Sequence, residues 1–213
     1  MGKSVYSIVL DDQIVLALDQ FAGRCGVSRS AAINQILAQH LQLATPQQQI
    51  QQIFAGLEQM AKETALQLLS VSQGQMQLRS PLQYKYNPTL RYQIELYPEH
   101  REYIGVFRAG MRTQNQTLLE YLQQFYQLWN ILEKNYVARP NEICVQIQNG
   151  RFVRCLRKLP ENDHPQQYGE QIAQYVHVFD QCLKAFFSMP EAQGAKNSQQ
   201  IYLQQMDSDL RFL

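Results

Sequence analysis

The sequence predicts an α+β protein, mostly helical with a smaller β part, in which a small N-terminal unit precedes a larger C-terminal domain. Three observations predict this fold class. Apolar residues recur at helical spacing over most of the chain, several short stretches alternate with the period of two that is typical of strands, and Asn149-Gly150 separates two such stretches as a tight turn. With 213 residues, the chain has room for one large domain or two small ones. We divide it into the ranges 1–44, 45–80, 81–190 and 191–213.

The N-terminal range begins with a strand. Residues 5–10 alternate between two faces. One face holds Tyr6, Ile8 and Leu10, and the other holds Val5, Ser7 and Val9. Asp11 and Asp12 end this strand and begin a helix, as the N-cap and the first-turn acid.

Two short helices follow the strand. The first has apolar residues at helical spacing and ends at Gly26, and the second begins at Ser28, a favourable N-cap residue, and carries its own apolar stripe. One strand and two short helices cannot bury their apolar faces alone. The unit 1–44 therefore predicts an obligate homodimer.

The order of strand, helix, glycine turn and helix resembles a known family. The segments Ser7–Asp12 and Gly26–Ile33 look like those of the ribbon-helix-helix repressors of the Arc, MetJ and CopG type, over residues 4–42. The resemblance implies that two chains pair their strands into an antiparallel ribbon that enters the major groove of double-stranded DNA. It also implies that the N-terminus of the second helix binds phosphate through its backbone N–H groups.

The resemblance assigns a role to individual residues. The outward residues Val5, Ser7 and Val9 would face the base edges, Lys3 would reach a phosphate, and Ser28, Arg29 and Ser30 would lie at the phosphate-binding helix end. The family usually places polar or basic side chains on the outward face, whereas two of the three here are valines, which can contact only thymine methyl groups. Residues 1–43 also carry three bases against three acids, which is unfavourable for phosphate binding.

The range 45–80 is predicted to be a connecting helix and a linker. Thr45-Pro46 is a helix start, and apolar residues follow at three- and four-residue steps as far as Leu68. Two such helices could pair as a short coiled coil in the dimer, or each could pack on its own C-terminal domain, and the sequence leaves both open. The polar stretch 70–80, which contains Gly74, is the predicted linker.

The range 81–190 is predicted to be the C-terminal α+β domain. Residues 143–148 and 151–156 flank Asn149-Gly150 as a β-hairpin. Residues 84–86 and 91–96 suggest a second strand pair. Two long helices with aromatic-rich buried stripes are expected over 117–136 and 166–187, and 191–213 is predicted to be a tail.

Residues 98–111 have two interpretations. As a strand, this stretch pairs with 91–96, and the order strand-strand-helix then occurs twice in the domain. As a helix, it lets 92–129 align without gaps on 6–43, as a second ribbon-helix-helix unit. Gly105 and Gly110 are unfavourable in a helix, so we favour the strand.

Charge is uneven along the chain. The net charge is only +1, but residues 139–158 carry five bases against one acid. Four of these bases are predicted accessory DNA contacts: Arg151, Arg154, Arg157 and Lys158. The competing interpretation is that they only solvate the hairpin and its exit loop.

Motifs of catalysis and metal binding are missing from the sequence. It has no glycine-rich phosphate loop, no Cys-x-x-Cys and no His-Glu-x-x-His. Cys144, Cys155, Cys182 and His177 are the nearest approach to a metal cluster, and small buried residues are the simpler interpretation. We expect no enzyme activity, no cofactor and no bound metal.

Together these features predict a bacterial DNA-binding protein, a homodimer or higher homo-oligomer that acts as a transcriptional repressor. Without a membrane-spanning stretch or signal peptide, it is expected in the cytoplasm with the nucleoid and not at a membrane. The C-terminal domain would serve oligomerisation or bind an effector or protein partner. The alternatives are an accessory DNA-binding protein of plasmid maintenance or conjugation, and an antitoxin-like interaction module without strong DNA binding.

Overall fold

A computed structural model describes residues 5–41, 46–85, 87–137, 144–158, 165–189 and 191–206. The helices are α1 Asp12–Cys25, α2 Arg29–His40, α3 Pro46–Glu63, α4 Gln116–Tyr136, α5 Pro165–Phe187 and α6 Glu191–Met206. The strands are β1 Gln67–Ser72, β2 Gln75–Pro81, β3 Thr89–Leu96, β4 Tyr103–Met111, β5 Val145–Gln148 and β6 Arg151–Arg157. No helix among these is both long and apolar enough to cross a lipid bilayer. The predicted α+β class is confirmed.

The six described strands form one antiparallel sheet in the order β1-β2-β3-β4-β6-β5. Two predictions for the C-terminal domain are confirmed, the Asn149-Gly150 hairpin and the strand interpretation of residues 98–111. Asn149 and Gly150 both have positive φ, and Gln148 pairs with Arg151, as a two-residue hairpin requires. Residues 103–111 form a strand, so the order strand-strand-helix occurs twice, and 92–129 is not a second ribbon-helix-helix unit.

One face of the sheet is covered by helices. Rings from β3, β4 and β6 meet rings from α4 and α5 in a single aromatic core, with Phe179 of α5 near its centre. Residues Ile53, Phe54 and Leu57 of α3 are buried in the same core. Of the two interpretations of the connecting helix, the structure therefore has the one in which it packs on its own C-terminal domain.

The N-terminal helices have a core of their own. Helices α1 and α2 pack together through only three buried side chains, Leu18, Ala22 and Ala32. Gly26 ends α1 in the left-handed conformation with φ 65°, as its position predicts. Asp11 lies at the N-cap position of α1, but its side chain makes no capping hydrogen bond there.

Three ranges differ from the sequence prediction. The predicted linker 70–80 belongs to the hairpin of β1 and β2, whose turn contains Gly74, and α3 ends at Glu63 instead of near Leu68. Strand β3 pairs with β2 and not with 84–86, of which 84 and 85 lie in a turn and 86 lies outside the described residues. Most of the predicted tail is α6, which packs on α5 with Ser198 and Tyr202 buried.

Helices α3 and α5 approach each other closely because glycines lie at their crossing. A Cβ at Gly56 would lie 3.0 Å from the carbonyl carbon of Gly169, and a Cβ at Gly169 would lie 3.0 Å from the carbonyl oxygen of Ile53. The contact is between backbones, which cannot move aside as a flexible side chain can.

We expect Gly169→Val to lower the free energy of unfolding by ~1–3 kcal/mol, because the helices must separate to admit the side chain. Gly23→Ala in α1 is the matched control, since nothing lies within 4 Å of its Cβ position, and it should be neutral or slightly stabilising. Urea unfolding measures both. Equal effects of the two substitutions would contradict a tight crossing.

Candidate nucleic-acid interface

The N-terminal segment before α1 is exposed, and the strand predicted over residues 5–10 is absent from the single chain. A strand forms only by hydrogen bonding to a neighbouring strand, and none of the six described strands pairs with this segment. Val5 and Val9 are 98% and 101% exposed, and Tyr6 and Ile8 are 84% and 57% exposed. Leu10, at the end of the segment, packs against the small core of α1 and α2. Exposure thus follows the predicted alternation, because the face with Leu10 turns towards the helices and the face with the valines turns away.

The N-terminus of α2 has the predicted cap. The Ser28 hydroxyl accepts a hydrogen bond from the backbone N–H of Ala31 at 3.3 Å, with Ser28 itself in the extended conformation. The cap leaves the neighbouring N–H groups of the first turn without helical partners. Ser28, Arg29 and Ser30 are all exposed, so this helix end is open to an anion.

Arg29 has an internal partner. Its guanidinium forms a two-pronged ion pair with Asp19 of α1, in which Nη2 lies 2.5 Å from Oδ2. The pair lowers the pKa of Asp19 and raises that of Arg29, chiefly through the mutual hydrogen bond. Both groups are exposed, and exposed pairs are weak enough to be exchanged for a phosphate contact. Lys3 lies outside the described residues.

The prediction that Arg154 is an accessory DNA contact is wrong. Its side chain is only 2% exposed and lies on the inner face of β6, where Nε is 2.6 Å from Oε1 of the fully buried Glu133. The strand alternates, so Phe152 and Leu156 share the inner face with it. Arg154 is an internal ion-pair partner and cannot contact DNA.

The other three bases of the hairpin face outward to different extents. Arg151 is exposed on the outer face of β6, and Arg157 is half-buried on the same face. Lys158 follows the strand and donates a hydrogen bond to the carbonyl of Pro98 at 2.7 Å. Burial lowers the pKa of Lys158. Arg151 is thus the predicted accessory contact with the best access to solvent.

Three further arginines lie on this surface and are not among the predicted contacts. Arg79 of β2, Arg91 of β3 and Arg108 of β4 lie on the sheet face that the helices leave uncovered, together with Arg151. Alternation in the sequence gives the outward direction of each residue. Only the strand order and the register, which are tertiary properties, show that these four come from four adjacent strands of one face.

The cysteines do not form one group. Cys144 and Cys155 face each other across the hairpin, where the Cys155 N–H donates to the Cys144 carbonyl at 3.0 Å, and burial raises the pKa of Cys155 to about 11. Cys182 is buried between α5 and α6, next to Ser198. Within the described ranges, no three His, Cys, Asp or Glu side chains are grouped so that they could hold a metal ion.

The chain therefore presents two exposed features with the chemistry of nucleic-acid binding. The N-terminal segment offers an exposed backbone that pairs with no described strand, the α2 terminus offers free N–H donors, and the uncovered sheet face offers arginines and amides. Comparison of the chain with protein-family models, with curated proteins and with solved structures finds no match.

Proposed function

We propose that the protein is a homodimeric DNA-binding regulator whose N-terminal segments pair into a β-ribbon that enters the major groove. The observation that carries the proposal is the exposed segment 5–10, which alternates in sequence like a strand but pairs with no described strand, directly before α1 and α2. A segment whose backbone donors and acceptors are unpaired can pair with another strand. A second copy of the same segment supplies a matching partner.

The apolar surface of the N-terminal unit supports the dimer. Ile14, Leu16, Ile36 and Leu37 of α1 and α2 are between 42% and 64% exposed in the single chain. The three-residue core between these helices is too small to stabilise an independent fold. Pairing of two units would cover these side chains together with Tyr6 and Ile8, so folding of the unit is coupled to dimerisation.

The end of α2 supports the contact with DNA. In the dimer, two capped helix ends present exposed N–H donors that suit phosphate groups on either side of the ribbon. The outward valines limit direct readout to methyl contacts, and Ser7 is the one hydrogen-bonding side chain at the centre of each strand. The binding is therefore expected to discriminate weakly between sequences.

The decisive variant is Ser28→Asp, because capping and phosphate binding respond to it in opposite directions. Aspartate caps a helix as well as serine does, and its charge is favourable at a helix N-terminus, so the fold keeps its stability. The same charge repels a phosphate. With two sites per dimer, we expect a loss of DNA affinity of roughly 1–2 kcal/mol, a factor of about 5–30.

The measurement is fluorescence anisotropy of a labelled 30-base-pair duplex titrated with the full chain, with sedimentation to give the oligomeric state. Ser188→Asp adds the same charge at an exposed residue after α5 and is the control, expected to leave binding unchanged. A monomeric wild-type protein, or equal binding by both variants, would overturn the proposal. A dimer without measurable DNA affinity would favour the protein-interaction module instead.

A further inference from the structure

The uncovered face of the sheet carries a row of long polar side chains that is interrupted by one glycine. The strand registers place one residue from each strand side by side across all six strands. In sheet order these are Gln67, Arg79, Arg91, Gly110, Arg151 and Gln148. Five strand spacings of ~4.8 Å give this row a length of ~24 Å.

The next row on the same face is polar at every position except Val153. In sheet order it consists of Ser70, Gln77, Gln93, Arg108, Val153 and Gln146. Arg108 is paired with Glu95, with Nη1 2.5 Å from Oε2. Glu95 is the one acidic residue in the six described strands, so the face has a clear excess of positive charge.

The two rows border a groove of about 600 Å³. Four arginines, Arg91, Arg108, Arg112 and Arg151, line it, and no acidic residue does. Gly110 lies between Arg91 and Arg151 in the first row and leaves space between them, since a Cβ there would reach only ordinary contact distance of Arg151, 3.5 Å from its Cγ. The two arginines are two strand spacings apart, or ~10 Å.

Three of these guanidinium groups have no internal role. The side chains of Arg91, Arg112 and Arg151 make no hydrogen bond or ion pair with any residue that the structure describes. A guanidinium has five N–H donors in a fixed fork that matches phosphate oxygens. Unpaired arginines around an acid-free groove therefore form a built surface for phosphate groups.

We propose that this face, which we call the arginine face (the two rows of residues above), is a second DNA contact that binds the phosphate backbone of a duplex. A row of ~24 Å is far longer than a single phosphate ion and fits a polyanion. Neither row contains an aromatic side chain, and single-stranded nucleic acids are bound largely by stacking on such rings, so a duplex is the better occupant. The glutamines donate further hydrogen bonds to backbone oxygens.

The choice of DNA as the polyanion rests on the proposed function, but the residues are different. The N-terminal ribbon has no excess charge, whereas the arginine face does, so the face supplies the salt-dependent, sequence-independent part of the affinity. The arginine face thus positions the protein through phosphate contacts, and the N-terminal ribbon reads bases in the major groove.

The test compares Arg91→Gln/Arg151→Gln with a control that removes the same charge elsewhere. Lys62→Gln/Lys134→Gln is that control, since both lysines are exposed on the helices that cover the opposite side of the sheet. Duplex affinity of the full chain is measured at several salt concentrations. Each phosphate contact contributes ~0.9 to the slope of log affinity against log salt, so the arginine variant should lose about 2 from the slope for every face in contact, and the control nothing.

A second variant keeps the charge and blocks the groove. Gly110→Leu places a side chain between the two arginines, and Gly110 has no positive φ, so a larger residue suits its backbone. We expect weaker duplex binding with unchanged thermal stability. An unchanged affinity and slope in both the Gly110 and the arginine variants would overturn the inference.

The same assay separates this inference from the proposed function. If Ser28→Asp weakens binding while the arginine variant keeps the wild-type slope, the ribbon binds DNA and the arginine face does not. If the arginine variant loses slope while Ser28→Asp has no effect, the face binds and the ribbon proposal fails. A loss equal to that of the lysine control, or a loss seen with single-stranded DNA or RNA and not with the duplex, also overturns the inference.

Discussion

Arg154→Leu is expected to lower the free energy of unfolding by about 3–5 kcal/mol, because it leaves the buried carboxylate of Glu133 without a counter-charge. Glu133 is fully buried and Arg154 is 2% exposed, with Nε 2.6 Å from Oε1. The guanidinium carbon also lies 4.7 Å from the centre of the Tyr175 ring. These contacts are inside the aromatic core, where water cannot replace the lost partner.

The loss should depend on pH. Burial raises the pKa of Glu133, and the charge of Arg154 opposes that rise. Without Arg154, the folded-state pKa rises further above the unfolded value, so the folded protein gains stability by binding a proton as the pH falls. The destabilisation of Arg154→Leu should therefore be smaller at pH 5 than at pH 8.

A double-mutant cycle in urea isolates the pair. Glu133→Leu/Arg154→Leu removes both charges and should recover most of the loss, since a hydrophobic replacement of a buried pair is often neutral or stabilising. Arg108→Leu breaks the partly exposed pair with Glu95 and is the matched control, expected to cost less than ~1 kcal/mol. An Arg154→Leu loss no larger than that of the control would contradict the buried pair.

Arg154 also illustrates what the sequence could predict. The alternation from Arg151 to Leu156 places Arg154 on the face of Phe152 and Leu156, and that pattern alone argues against a DNA contact. A cluster of bases in a strand predicts a contact surface only for those bases that the alternation turns outward. Its partner Glu133, by contrast, lies on a helix 21 positions away, and no local pattern joins the two.

The hairpin of β1 and β2 was missed for a different reason. Its polar outward residues are mainly glutamines and serines, so the composition resembles that of a linker. The sequence signals that remained were the alternation of Met76 and Leu78, which are both fully buried, and Gly74, which has positive φ at the turn. The Asn149-Gly150 hairpin was predictable because its turn residues have one dominant use in proteins.

The candidate site likewise has one part that local sequence patterns predict and one part that they do not. The end of α1 at Gly26 and the start of α2 at Ser28 follow from local capping rules. In the structure both lie at the predicted positions. The arginine face depends on five pairings between strands, and the pairing of longest range is that of β4 with β6, which joins Gly110 to Arg151, 41 residues further along the chain. The pairing register of these strands is decided by packing of the opposite, buried face of the sheet. The sequence shows that face only as an alternation of apolar residues.

Phe179→Ala is expected to cost about 3–5 kcal/mol, the range found when a buried aromatic side chain is removed from a core. Phe179 is fully buried and lies within 5.3 Å, between ring centres, of Phe107, Phe125, Trp129 and Phe152. These rings come from β4, α4 and β6, so the residue joins the sheet to both long helices. The cavity would open where β4, β6 and α4 pack against α5. A movement of any one of these elements into the cavity would break its contacts with the others.

Phe179→Leu separates lost volume from lost ring contacts. It keeps most of the apolar volume, so it should lower the free energy of unfolding by less than Phe179→Ala does. Its remaining loss relative to wild type includes the ~0.5–1.5 kcal/mol that an aromatic pair contributes. Trp129 is the only tryptophan, and its ring centre is 4.9 Å from that of Phe179, so its fluorescence reports on this part of the core during urea unfolding. Tyr136→Ala, at a ring that is 43% exposed, is the surface control. Because exposed rings bury little area, its loss should be well below that of Phe179→Ala, and equal losses would mean that the aromatic core is not centred on Phe179.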